Sequence, residues 1–365
     1  MRFIKSAISI TLVGSVVLSS TGCSPLPEKN IIEELAPVVF WSIDKGNEGK
    51  IKITTLVPPL TSENKQMLSL QVRLLKQERE KFNFNYYREL KLGQMRILFI
   101  NKEIAKRGID WLLNSILLSP DISQRLFLVI IDGDLTAYIT NHLKQQNNLD
   151  YYFYRMLKHY KEQDKGEIAV MNLHQFMKRL YSTYSYPVLP VFRANKTNLV
   201  YEGTALFKGD KLIAVINQID NHILQLMHKK HNLITLAIPG LSVSLGNIHA
   251  NVRKKMNADH TSLSINVDLS SRIEEYHGEY NLFDAERMED LSTKIEVYLQ
   301  KQTTELFKQM QKWKVDPLQI GLLTQSPFSR PISSDDWDRQ WEQMHVHVEY
   351  HLHIQPLTDI YSNHG

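Results

Sequence analysis

The sequence predicts an α+β protein of several domains, in which mixed sheets pack against helices. Three observations predict it. Strand-period and helix-period stretches are interleaved, but without the strict strand–helix–strand rhythm of a parallel α/β sheet. A long amphipathic helix stands late in the chain. A strand of strict alternation closes the C-terminal domain behind it.

Taken in order, Lys50-Ile51-Lys52-Ile53-Thr54 alternates polar and apolar as a half-buried strand does. Ile97–Ile100 and Leu126–Ile131 are continuous apolar runs of buried-strand length, and the second stops at Asp132-Gly133. Between them, Lys102–Ile116 reads as two short helices broken at Gly108 and stopped by Pro120. Leu173, Phe176, Met177 and Leu180 share one helical face. Pro187 and Pro190 make Ser185–Val191 an extended crossing segment. Leu212–Ile216, Leu233–Ile238 and the alternating Leu263, Ile265 and Val267 are further strands. Ala285–Trp313 is the long helix, capped by Asp284, with Met288, Leu291, Ile295, Leu299, Leu306, Met310 and Trp313 on one stripe. Lys308, Lys312 and Lys314 suit its C-terminal dipole, and Pro317 follows its end.

These breaks divide the 365 residues into a signal peptide at 1–22, a tether at 23–30, an N-terminal domain at 31–196 and a C-terminal domain at 197–365. A further division is placed near Asn251. The chain is 43% hydrophobic and 22% charged, an ordinary globular balance. Its net charge of +4 is too small a surplus to argue for nucleic acid. One cysteine excludes an intramolecular disulfide and a Cys-rich zinc site.

That cysteine is placed informatively. Arg2 and Lys5 precede an uncharged stretch from Ala7 to Leu18, too short to span a bilayer comfortably and suited to a signal-peptide core. The stretch ends in Leu18-Ser19-Ser20-Thr21-Gly22-Cys23. This is the layout of a bacterial lipoprotein signal, with cleavage after Gly22 and acylation of the Cys23 thiol. Two or more acyl chains (palmitate among them) would pass the threshold for stable anchoring. Ser24–Asn30, with Pro25 and Pro27, would then be a tether reaching about 20 Å, which holds the folded part near the membrane.

Catalytic signatures are not found: there is no GxSxG, Walker A loop, GxGxxG or HExxH. Ser62-Glu63-Asn64-Lys65 matches SxxK without any companion motif. The candidate metal ligands are His345, His347, Glu349, His351 and His353, which alternation puts on one face of the closing strand. Histidines two apart on a strand can chelate one metal, though a polar outer face needs no more than hydrophilic residues there. His222, His228 and His231 lack strict spacing and are expected at the surface. Tyr151-Tyr152-Phe153-Tyr154 reads as aromatic packing at a helix start, not as a base-stacking platform, because Lys and Arg are not interleaved with it. The residues thus favour a binding or assembly role, with no enzyme activity and no cofactor.

Blocks spread over most of the chain resemble the Ger(x)C family, the lipoprotein C subunits of spore nutrient germinant receptors. They include Glu34-Leu35-Ala36 with Ile43-Asp44-Lys45, Gly93–Leu98 followed by Glu103–Gly108, Phe176 with Leu180-Tyr181, and Pro187-Val188-Leu189-Pro190. In the second half, Gly203–Lys208, Val315-Asp316-Pro317, Trp337, Trp341 and the closing strand follow in the family's order. The resemblance implies a non-enzymatic α+β lipoprotein made at sporulation, anchored through Cys23 on the outer face of the spore's inner membrane. It also implies assembly with two multi-pass membrane subunits, of A and B type, into a receptor for nutrient-triggered germination. The alternative is a solute-binding lipoprotein of a transporter, which would require two α/β lobes about a cleft.

Overall fold

The computed structural model describes residues 32–59, 65–75, 81–82, 84–143, 149–162, 167–228, 230–325 and 332–355. The chain divides into two units. In the first, residues 1–35, Ile32–Glu34 forms a 3-10 turn. The second, residues 36–365, carries an eight-stranded sheet, a four-stranded sheet and eight α-helices among the described residues.

The larger sheet has eight strands: β1 (Phe40–Lys45), β2 (Ile51–Val57), β3 (Gln66–Val72), β4 (Ile97–Asn101), β5 (Phe127–Gly133), β6 (Val188–Ala194), β7 (Leu199–Lys208) and β8 (Lys211–Ile216). Across the sheet they run β8-β7-β6-β5-β4-β1-β2-β3. The central four are parallel, and antiparallel strands flank them on both sides. The parallel core explains the continuous apolar runs at Ile97 and Leu126, since strands covered on both faces do not alternate. It is a local βαβ rhythm inside a sheet that is mixed as a whole, so the fold is α+β.

Helices α1 (Lys102–Arg107) and α2 (Asp110–Leu117) follow β4, divided at Gly108 as the sequence predicts. Gly108 has φ +108°, and a Cβ there would stand 2.4 Å from Asp210 Oδ2, so both backbone and space require glycine. Helices α3 (Leu135–His142), α4 (Leu149–Glu162) and α5 (Leu173–Leu180) connect β5 to β6. One face of the sheet packs Phe40, Phe99 and Phe153 of α4 edge to face, with centroids 5.4–6.4 Å apart. Tyr151–Tyr154 therefore lies in the first turns of a helix, as expected. The other face belongs to the main core, which continues into the smaller sheet.

Pro190 sits within a central strand, where proline is unusual. The reason is register. Pairing of β6 with β5 runs only from Val191 to Ala194, so Pro190 lies beyond the stretch they share. The expected domain boundary at Lys196 falls in the β6–β7 turn, where Asn195 Oδ1 accepts the Thr197 and Asn198 N–H groups. Strands β7 and β8 lie beyond that boundary, yet they complete the sheet that β1–β6 begin.

After α6 (Gln218–Leu226) come β9 (Lys230–Ile238), β10 (Val243–Met256) and β11 (Ser262–Tyr276), an antiparallel meander. Asn251, the position expected for a further division, lies in mid-strand in β10, paired with Lys230 and Asp268. Helix α7 (Ala285–Trp313) has Asp284 as its N-cap, its carboxylate accepting the Glu286 and Arg287 N–H groups. Its buried residues Leu291, Ile295, Leu299, Leu306 and Met310 are the predicted stripe, and they join the main core. Helix α8 (Ser334–Gln343) stacks Trp337 on Trp341, and the Trp341 indole N–H donates to the Val315 carbonyl at 2.9 Å. Strand β12 (His345–Ile354) then joins β11 in parallel at the sheet edge.

Candidate functional site

Cys23 and the whole signal and tether region lie outside the described residues, as do Ser62, Glu63 and Asn64 of the SxxK match. Among the described residues no helix is long and apolar enough to cross a membrane. Four places remain that sequence or fold singles out: the histidine strand, the scattered histidines, the carboxyl ends of the parallel strands, and a cavity beside α5.

On β12 the alternation is as predicted. His345, His347, Glu349, His351 and His353 are exposed, while Val348 and Tyr350 are buried. Tyr350 anchors the strand to α7 through a 2.6 Å hydrogen bond between its hydroxyl and that of Thr303. The outward neighbours on β11 are Ser264, Asn266, Asp268 and Ser270, in register with His347, Glu349, His351 and His353. His347 Nε2 lies 3.3 Å from Glu349 Oε1. Among the described residues no group of three or more His, Cys, Asp or Glu side chains could hold a metal ion. The strand presents a hydrophilic sheet face, with an open cleft of about 660 Å³ where His351 and His353 approach His249 and Asp268.

The scattered histidines correct one expectation. His222 is not at the surface but buried on the inner side of α6, because the helix turns Asn221, His222, Ile223 and Leu224 all into the core. Burial lowers its pKa, which keeps the ring neutral. His228 is half-buried.

Ligands of open α/β sheets bind outside the carboxyl ends of the strands, where neighbouring connections depart in opposite directions. Here β1 leads to β2 on one side and β4 to β5 on the other. At those ends Asp44 accepts the Ser42 hydroxyl at 3.0 Å and the Asn101 amide at 3.1 Å. Burial raises its pKa, although both hydrogen bonds oppose the shift. Lys102 Nζ lies 2.6 Å from Asp132 Oδ2 and 3.9 Å from Glu202 Oε1, and Arg193 lies 2.6 Å from the same Glu202 oxygen. Lys102 and Arg193 at this crevice therefore each have a carboxylate of the protein's own.

The cavity beside α5 is different. It encloses about 290 Å³ between the end of α4, α5, the end of α6 and Pro317. Lys161 and Arg179 line it. Lys161 Nζ donates to Gln175 Oε1 at 3.0 Å and lies 5.0 Å from the centre of the Phe127 ring. Arg179 Nη1 donates to the Tyr186 and Pro317 carbonyls, both at 3.3 Å. Burial lowers the pKa of both groups, and only the more distant Asp316 opposes it at Arg179. Sequence reasoning missed this pair. The cavity gathers residues from segments far apart in the chain, and Arg179 stands beside the apolar stripe of α5 like any solvated helix residue.

Comparison with known proteins adds family evidence. A model described as the spore germination protein N-terminal domain matches residues 28–194. A second, described as spore germination B3/GerAC like, C-terminal, matches residues 202–356. The spore germination protein GerQC of Bacillus cereus is 22% identical over 271 residues, which cover 72% of this chain and 73% of that protein. The crystal structure of the GerBC protein aligns with 87% of this chain and 97% of its own at a TM-score of 0.49 and 12% identity.

Proposed function

Since the chain belongs to the GerAC-like family of spore germination proteins, we propose that it is a lipid-anchored subunit of a nutrient germinant receptor. The observation that carries this reading is the family match running from residue 28 to residue 356 with one short gap. The match begins five residues after Cys23, where a lipoprotein signal would end. In this reading Cys23 carries the acyl chains, and residues 24–30 hold the folded unit close to the outer face of the spore's inner membrane. Two multi-pass subunits of A and B type are its partners, and the chain contributes assembly and binding, not catalysis.

The test is nutrient-triggered dipicolinate release from spores carrying wild-type or Cys23→Ala protein, with a non-nutrient trigger as control, in a strain lacking sibling receptors. The expected outcome is loss of the response to one nutrient class with the control intact. An unchanged response with anchoring demonstrably lost would refute the anchored-subunit reading.

A further inference from the structure

We infer that the cavity lined by Lys161 and Arg179 is a binding site for a small organic carboxylate. The inference goes beyond the receptor reading and does not depend on it, because it concerns what the folded chain binds by itself.

Taking a cation out of water is unfavourable unless an anion or several acceptors replace the lost solvent. Lys102 and Lys208 meet that condition, each lying within 2.6 Å of a carboxylate oxygen. Among the described residues, neither Lys161 nor Arg179 has a carboxylate within ion-pair distance. Lys161 has one amide oxygen and an aromatic face. Arg179 spends Nη1 on two long bonds to carbonyls, and its Nε and Nη2 groups have no protein acceptor among the described residues. That unused edge is the one through which a guanidinium grips a carboxylate with two parallel hydrogen bonds.

The two cations are held as parts of one site. Gln175 stands one helical turn before Arg179 on α5. Its side-chain oxygen accepts both Lys161 Nζ and the Asn172 N–H of the α5 capping box, which fixes the amide in place. Gln175 therefore ties the end of α4 to the helix that carries Arg179. Ile168, Val170, Met171 and Leu224 supply an apolar wall on the same cavity. Drug-sized ligands occupy pockets of about 300–1,000 Å³, and at about 290 Å³ this cavity suits a smaller molecule. Two cations and an apolar wall select an anionic head on a short carbon body, and argue against a sugar or a nucleoside.

The mature chain in detergent can be tested by ligand-observed NMR and calorimetry with three probes: propionate, pyruvate and inorganic phosphate. Saturable one-to-one binding of at least one of the two carboxylates is expected, weakening with added salt. Affinity should fall about tenfold or more in Lys161→Met and in Arg179→Gln, the loss of one charge-assisted contact. Arg179→Gln also removes two backbone contacts and needs a thermal-unfolding control, whereas Lys161→Met touches no backbone partner and keeps the test decisive if the first variant fails to fold. No carboxylate binding up to about 10 mM, binding indifferent to Lys161→Met, or binding of phosphate alone would each overturn the assignment.

Discussion

The strand-end crevice and the cavity beside α5 both collect cations, Lys102 of the one and Lys161 and Arg179 of the other half-buried, and they differ in one respect. In the crevice Lys102 and Arg193 meet Asp132 and Glu202. In the cavity Lys161 and Arg179 meet an amide, a ring and two carbonyls. The crevice occupies the place where the fold would lead one to look, and these two charges are already matched. The cavity has no place in any fold rule, and its charges are not. Where binding is at stake, unpaired charge is the more informative signal than charge itself or topology.

The largest expected effect tests whether carboxylates near the cavity behave as buried groups. Asp316, fully buried behind Pro317, accepts the Gly321 N–H at 2.9 Å, and desolvation pushes its pKa up to about 6. Its ordinary value is 3.8. As pH rises from about 4 to 6 the unfolded chain loses this proton before the folded chain does, so the stability the protonated acid contributes is complete below that window and lost across it. The loss is on the order of 3 kcal/mol, from about two pKa units at 1.36 kcal/mol each. Urea midpoints measured across this range should fall in wild type relative to Asp316→Asn, which cannot titrate. Parallel profiles would mean that Asp316 is solvated or firmly ion-paired, and the contrast with the crevice would weaken.

The next effect sharpens the matched side. Lys102→Met would leave Asp132 without its cation, while Glu202 keeps Arg193. A cost of about 1–2 kcal/mol is expected, since removing one partner of a half-buried pair exposes the other's desolvation. Chemical denaturation at neutral pH measures it, and adding Asp132→Asn should recover part of the loss. A neutral Lys102→Met would show that the crevice pairs are solvent-screened and contribute no more than surface pairs do.

Much of this was legible in the sequence because it depends on short-range patterns. The α7 stripe, its Asp284 cap, the Gly108 break and the alternation of β12 are each set within about two turns or one strand, and each is found where the pattern puts it. Long-range features were not legible. That the residues after Lys196 return to the first sheet depends on pairing between β6 and β7, which no local period encodes. His222 reads as polar, yet the helix rotates it inward because Ile223, Leu224 and Leu226 fix which side faces the core. The histidine strand was legible as a hydrophilic face, while the Lys161–Arg179 site was not, because its parts come from four separated segments.

The smallest expected effect is the one that separates the two regions most directly. Lys161→Met removes the 3.0 Å bond to Gln175 and the cation resting on Phe127. A cation over a ring contributes about 0.5–1 kcal/mol at exposed sites, and the lost amide contact about as much. Against these stands the desolvation of a charge that no carboxylate offsets. Because burial lowers the Lys161 pKa, the charged form is less favourable in the folded chain than in the unfolded one, and Met removes that penalty while keeping the apolar stem. The net change should lie within about 0.5 kcal/mol of zero, the range of an ordinary surface substitution. Thermal unfolding of Lys161→Met and Lys102→Met side by side reads this out: the same chemical deletion should cost stability in the crevice and almost none in the cavity. Added carboxylate should then stabilise wild type but not Lys161→Met, since a ligand that binds the native state alone raises its stability by mass action. Equal costs at the two lysines would mean that Gln175 and Phe127 already satisfy Lys161, leaving the cavity no call on an anion.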